Sequence, residues 1–129
     1  MELIKIEKDV EKAKSLYNLA VLRYNKISSF NIEIEASLIV ESYYEIIKEL
    51  ITAILFIDGY KTLSHKDLVT YIKINYSGII NNDEIEIIDL LRKRRNGIVY
   101  YGIMINPFFV NNNKETIEII IQKLKDIIK

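Results

Sequence analysis

Residues 34–59 read IEASLIVESYYEIIKELITAILFIDG, and this stretch decides the fold. Its apolar side chains leave almost no face uncovered, the mark of a helix enclosed by other helices rather than one lying on a surface. The spacing predicts a helix from about Ile34 to Ile57, ended by Asp58-Gly59, because glycine just past the last apolar residue readily takes the left-handed cap conformation. One polar ridge interrupts it. Glu41, Glu45, Lys48 and Thr52, spaced four, three and four, line up on one side and must face water or a groove.

A central helix needs partners, and the flanking sequence supplies them. Val10, Ala13, Tyr17, Ala20, Tyr24 and Ile27 recur at three-four spacing and predict a first helix from about Ile6 to Ser28. Ser64-His65-Lys66-Asp67 resembles a capping box and opens a shorter helix through Leu68, Tyr71, Ile72 and Asn75. Asn81-Asn82-Asp83 caps a fourth helix, with Glu84 and Glu86 where the helix dipole favours acids. Pro107 and Asn111-Asn112-Asn113 mark a loop, and a last helix starts near Lys114 with Ile117, Ile120, Ile121, Leu124 and Ile128 inward. Gly102-Ile-Met-Ile is the nearest approach to a strand. The expectation is one all-α domain over residues 1–129, an up-down bundle of four long helices with a short crossing helix third in order.

Composition narrows the chemistry. The chain has 129 residues, no cysteine and one histidine, His65, so neither a disulfide framework nor a protein-built zinc centre is expected. No cofactor is expected either, although the count leaves a nucleotide or flavin ligand open. The charged opening MELIKIEKDVEKAK is unlike a signal peptide, and the longest apolar run, Leu50 to Ile57, is far short of a membrane span, which points to a cytoplasmic protein. Eighteen basic and eighteen acidic side chains cancel, so a broad positive field is excluded and any anion must be bound by a local cluster.

Such a cluster exists. The only arginines are Arg23, Arg92, Arg94 and Arg95, and three of these fall in four residues. Arginine offers a planar fork for phosphate or carboxylate that lysine lacks. At 100° per residue, Ile87, Ile88, Leu91, Ile98 and Val99 share one arc of the fourth helix. Arg95 lies inside that arc, with Arg92 and Arg94 at its margins. A buried guanidinium needs partners. Arg95 must therefore reach Glu41, Glu45 or Glu49 on the central helix, or line a cavity or subunit interface. A purely structural Arg–Glu pair is one such outcome. Asn96-Gly97 suggests a backbone bent or kept clear for close approach. Tyr100 and Tyr101 suit either base stacking and phosphate contact or ordinary packing.

The segment Leu91-Arg-Lys-Arg-Arg-Asn-Gly-Ile-Val-Tyr-Tyr-Gly resembles the signature helix of HEPN domains, small helical bundles of prokaryotic toxin–antitoxin, defence and RNA-processing systems. Their motif is an arginine, often followed by a polar residue, and a histidine after four to six positions. Arg95 and Asn96 match its opening. Glu41 to Leu55, followed by Gly59-Tyr-Lys-Thr-Leu-Ser-His-Lys, is similar to the second helix and loop of archaeal members. The resemblance implies a homodimer with a cleft between subunits, where active members cleave RNA without metal.

The chain departs from the motif where it matters, for Tyr100 stands at the histidine position. A phenol with a pKa of about 10 is a poor base at neutral pH. The resemblance therefore implies RNA or nucleotide binding through Arg92, Arg94, Arg95 and Tyr101, with weak or absent cleavage by Arg95, Asn96 and Tyr100. Two rivals stand beside it. One is an active endoribonuclease toxin, with Arg92 contributed from the facing subunit. The other is an interaction protein partnering a minimal nucleotidyltransferase; the tyrosine such enzymes modify in some toxins of the family falls here at Gly102, with Tyr101 only a neighbour. His65 reads as part of a helix N-terminal turn.

Overall fold

A computed structural model describes residues 1–129. It is an all-α bundle of α1 (Val10–Ile27), α2 (Ile32–Asp58), α3 (His65–Asn75), α4 (Asn82–Tyr101) and α5 (Pro107–Ile128), with a two-residue pairing of β1 (Ile4–Lys5) and β2 (Tyr60–Lys61). No helix is long and apolar enough to cross a membrane.

α2 is the axis, in contact with all four other helices. It carries fifteen of the thirty-two buried residues, among them Tyr43, Tyr44, Ile47, Leu50, Ile54 and Leu55. The Asn31 side chain accepts from Glu33 N–H and caps its start, and the backbone kinks at Glu35 (φ −115°, ψ 25°) before the regular helix begins. Gly59 ends it in the left-handed conformation at φ 91°, as the Asp58-Gly59 signal predicts. The ridge residues Glu41, Glu45, Lys48 and Thr52 are all half-buried.

α1 packs on α2 through Ala13 and Ala20, the only fully buried residues of its stripe, and these small side chains let the two helices approach closely. Val10 and Tyr24, expected inside, are exposed because α1 lies at the edge of the bundle. α5 buries Ile117, Ile120, Ile121 and Leu124 as its periodicity requires.

Four expectations are corrected. α1 begins at Val10, capped by Asp9, not near Ile6. Residues 2–9 are a strap across the far end of α2 instead: Ile6 N–H donates to Gly59 O at 2.9 Å, Asp9 N–H to Phe56 O at 3.0 Å, and Glu2 N–H to Asp67 Oδ2 at 2.9 Å. The α3 capping box stays open because Ser64 N–H donates to Thr62 Oγ1 at 3.2 Å rather than to Asp67, so Ser64 Oγ alone caps α3, accepting from Asp67 N–H. α5 begins at Pro107 rather than near Lys114, because Asn106 is its cap and proline suits the first helical position, where no N–H is needed. Asn111–Asn113 belong to this helix. The strand pairing, finally, joins residues 4–5 to 60–61, while residues 102–105 form an unpaired link.

Candidate functional site

α4 starts with a complete capping box, Asn81 Oδ1 accepting from Glu84 N–H and Glu84 Oε1 from Asn81 N–H. Lys123 of α5 binds the same Glu84 carboxylate at 2.9 Å. With that end pinned, Ile85, Ile88 and Leu91 enter the core and set the rotation of the helix. Arg95, one turn beyond Leu91, is then carried to the inner side.

Its side chain is only 15% exposed, and Nη2 lies 3.5 Å from Glu45 Oε1 on the α2 ridge. Of the three carboxylates within the range of expectation, Glu45 is the partner. Glu49, one turn on, binds Arg23 of α1 at 2.8 Å, and Glu41 forms no ion pair. Arg95 Nη1 donates to Asn96 Oδ1 at a long 3.4 Å, and its Nε is buried without a partner. The guanidinium lies 5.9 Å from the ring centres of both Tyr44 and Tyr100. A group with five N–H donors thus makes two contacts at the outer limit of hydrogen-bond length, and one of its unused donors, at Nε, is buried.

The neighbours reinforce this deficit. Glu45 is shared, since Lys48 Nζ also binds it. Arg95, Lys48 and Glu45 together carry a net positive charge in a largely desolvated place. Arg92, half-buried, binds Asp89 at 2.9 Å, and Lys93 reaches the other oxygen of that carboxylate at 3.2 Å. Arg94 turns away from this cluster and lies over the Phe109 ring of α5 at 5.5 Å.

His65 lies in the first turn of α3, as expected, and also joins the Arg95 cluster, which the sequence did not indicate. Its ring lies 6.0 Å from that of Tyr44, tilted by 41°, and the Arg95 guanidinium lies 5.9 Å from the centre of the same Tyr44 ring. Burial, then the charges of Lys48 and Arg95, hold its imidazole below the ordinary value, with Glu45 opposing and Arg92 adding to the depression. His65 is accordingly a neutral base at pH 7. Burial pushes the Tyr44 hydroxyl up to about 12 against the pull of Arg95 and Arg92, so it stays a phenol. The capping signal at Ser64 marked where α3 begins, but which way His65 faces depends on how α3 packs.

Around Gly97 the helix is regular rather than bent. A Cβ there would meet Ile103 Cδ1 at 3.5 Å, ordinary contact, so the glycine is not demanded by crowding. Gly97 O instead accepts from Ile103 N–H, which folds the 102–105 link back over α4. Tyr100 and Tyr101 stand out in solvent at 66% and 80% exposure, beyond the end of the buried face. The structure thus brings Arg95, Asn96, Glu45, Arg92, Tyr44, Lys48 and His65 into one cluster edged by Tyr100. Arg94, Tyr101, Glu41 and Glu49 lie outside it.

No family model, no curated protein and no solved structure matches this chain.

Proposed function

We propose that the chain is a HEPN-type RNA- or nucleotide-binding protein of the cytoplasm, working as a homodimer, in which Arg95 holds a phosphate group. The observation that carries this reading is the under-coordinated Arg95 guanidinium, desolvated yet short of acceptors. A phosphate oxygen would take the N–H groups left over at the Nη end of the guanidinium, whose side chain keeps 15% exposure, and exploit the excess positive charge. The motif position holds Tyr100 in place of a histidine, so cleavage through that position itself is slow or absent.

The dimer rests on a second observation. Val99, Tyr100, Tyr101, Ile103 and Met104 are exposed together where α4 runs into the link, and Met104 reaches Ser37 near exposed Ile34 and Leu38 on α2. An apolar patch of this extent marks an interaction surface. Sedimentation at high micromolar protein is expected to give a two-chain species that Met104→Glu converts to a monomer. A wild-type monomer at that concentration removes the dimer from the reading.

His65 favours a second reading, the active metal-independent endoribonuclease. A neutral imidazole beside Arg95, Arg92 and Lys48 is able to take a proton from a ribose 2′-hydroxyl, and a positioned base contributes about 10²- to 10⁴-fold in rate. The test is purified protein with a mixed RNA pool, with and without chelator. This reading expects chelator-resistant cleavage that both Arg95→Ala and His65→Gln abolish, and whose rate falls in acid as His65 protonates, at a pH below the ordinary imidazole range. Intact RNA after prolonged incubation leaves the binding protein.

A further inference from the structure

We infer that the strand anchored at Arg95 continues through the groove between α3 and α4, so that the ligand is single-stranded RNA several nucleotides long and not a mononucleotide. The inference rests on the Arg95 reading above and extends it to a surface with no part in the resemblance.

The groove has a volume of about 490 Å³. That is within the usual range for ligand sites. Lys66 and Lys73 of α3 and Lys93 of α4 rim it, and Val69, Ile85 and Leu90 form an apolar floor. Residues 66, 69, 70 and 73 share one helical face, so the wall is a designed stripe of α3 and not a chance of loop geometry. Lys66 and Lys73 enter no ion pair. Two turns of helix, about 10 Å, separate them, too far to serve the same phosphate. Two carboxylates also face the groove. Asp89 is already bound by Arg92 and Lys93, which leaves Glu86 against two free lysines. The local balance is positive in a protein whose total charge is zero.

The groove adjoins the Arg95 cluster at two points. His65 faces the cluster and its neighbour Lys66 lines the groove. Across from them, Asp89 lines the groove while bonding Arg92 of the cluster. A strand leaving Arg95 past the start of α3 meets Lys66 first. The floor selects single strands, because an apolar surface is covered by base faces only where bases are unstacked.

The experiment measures binding of uridine monophosphate, a uridine decamer and a fully paired RNA hairpin to wild type, Lys66→Gln/Lys73→Gln and Arg95→Ala across a salt series. The expected result is decamer binding tighter than mononucleotide or hairpin. In the double lysine variant the decamer should lose about tenfold at physiological salt, and the log–log salt slope should flatten by about 1.4, with mononucleotide binding unchanged. A decamer preference that survives the double variant overturns the groove and leaves the Arg95 reading intact. Loss in the lysine variant with none in Arg95→Ala retains the groove and overturns Arg95 as its anchor. Absence of binding by every probe overturns both.

Discussion

Arg95→Ala should weaken RNA binding by about 10- to 100-fold and leave the protein folded. The affinity estimate is the contribution of a hydrogen bond to a charged group, about 1.5–3 kcal/mol, at 1.4 kcal/mol per tenfold. The stability half follows from the partners that remain. When the guanidinium goes, Glu45 keeps Lys48, so no buried carboxylate is stranded. The long contacts to Glu45 and Asn96 also contributed little. Fluorescence anisotropy with a labelled oligonucleotide, alongside a urea titration, reads both quantities. Unchanged affinity would remove Arg95 from the site, and a cooperative unfolding midpoint far below wild type would make the arginine a structural strut.

Arg23→Ala should do the reverse, costing about 2 kcal/mol of stability and leaving RNA binding alone. Glu49 is one of three buried polar or charged residues, and Arg23 is its ion-pair partner, through Nε at 2.8 Å. Stranding a buried carboxylate costs about 3–5 kcal/mol; because the Arg23 side chain is 41% exposed, water reaches part of the vacated space and the estimate is reduced. Burial raises the Glu49 carboxyl above its ordinary 4.5, and the Arg23 hydrogen bond and charge oppose that rise. Removing Arg23 raises it further. A carboxyl whose folded value is raised contributes most below its unfolded value and loses that contribution as pH climbs through the folded one. The gap between variant and wild type should therefore be small near pH 4 and widen toward pH 7. Urea midpoints at the two pH values test this. A gap independent of pH would put the damage in lost packing, and replacing both residues by leucine should recover much of the stability.

The contrast between these two arginines marks the limit of what the sequence discloses. Periodicity placed Arg95 on the inner face and narrowed its partner to the α2 ridge, because Ile88 and Leu91 fix the helix rotation. The choice of Glu45 over Glu49 depends on how α1 lies, and no local pattern encodes that. Arg23 sits outside any cluster, so its part in the core was not legible at all. α2, the caps at Ser64 and Asn81 and the Gly59 stop were readable since each is local chemistry within four residues. The start of α5 was misjudged because Pro107 is equally at home in a loop and at the first turn of a helix. His65 lies in the first turn of α3, as its sequence context indicates, but the cluster it joins was not legible. Its helix boundary is local, but the direction it faces is set by tertiary packing of α3 on α2 and by the strap that binds Asp67.

That strap bears on the order in which the molecule assembles. During synthesis Lys5 emerges long before Tyr60, its pairing partner, and Glu2 long before Asp67. The hairpin of α1 and α2 closes through near-neighbour contacts and does not wait for either. Residues 2–6 can close only around an α2 and α3 already in place, and loop closure over that separation is entropically slow to be rewarded. The lacing of residues 2–6 over the latch at Gly59 is therefore expected late in folding, and it ties Glu2 to Asp67 in the first turn of α3.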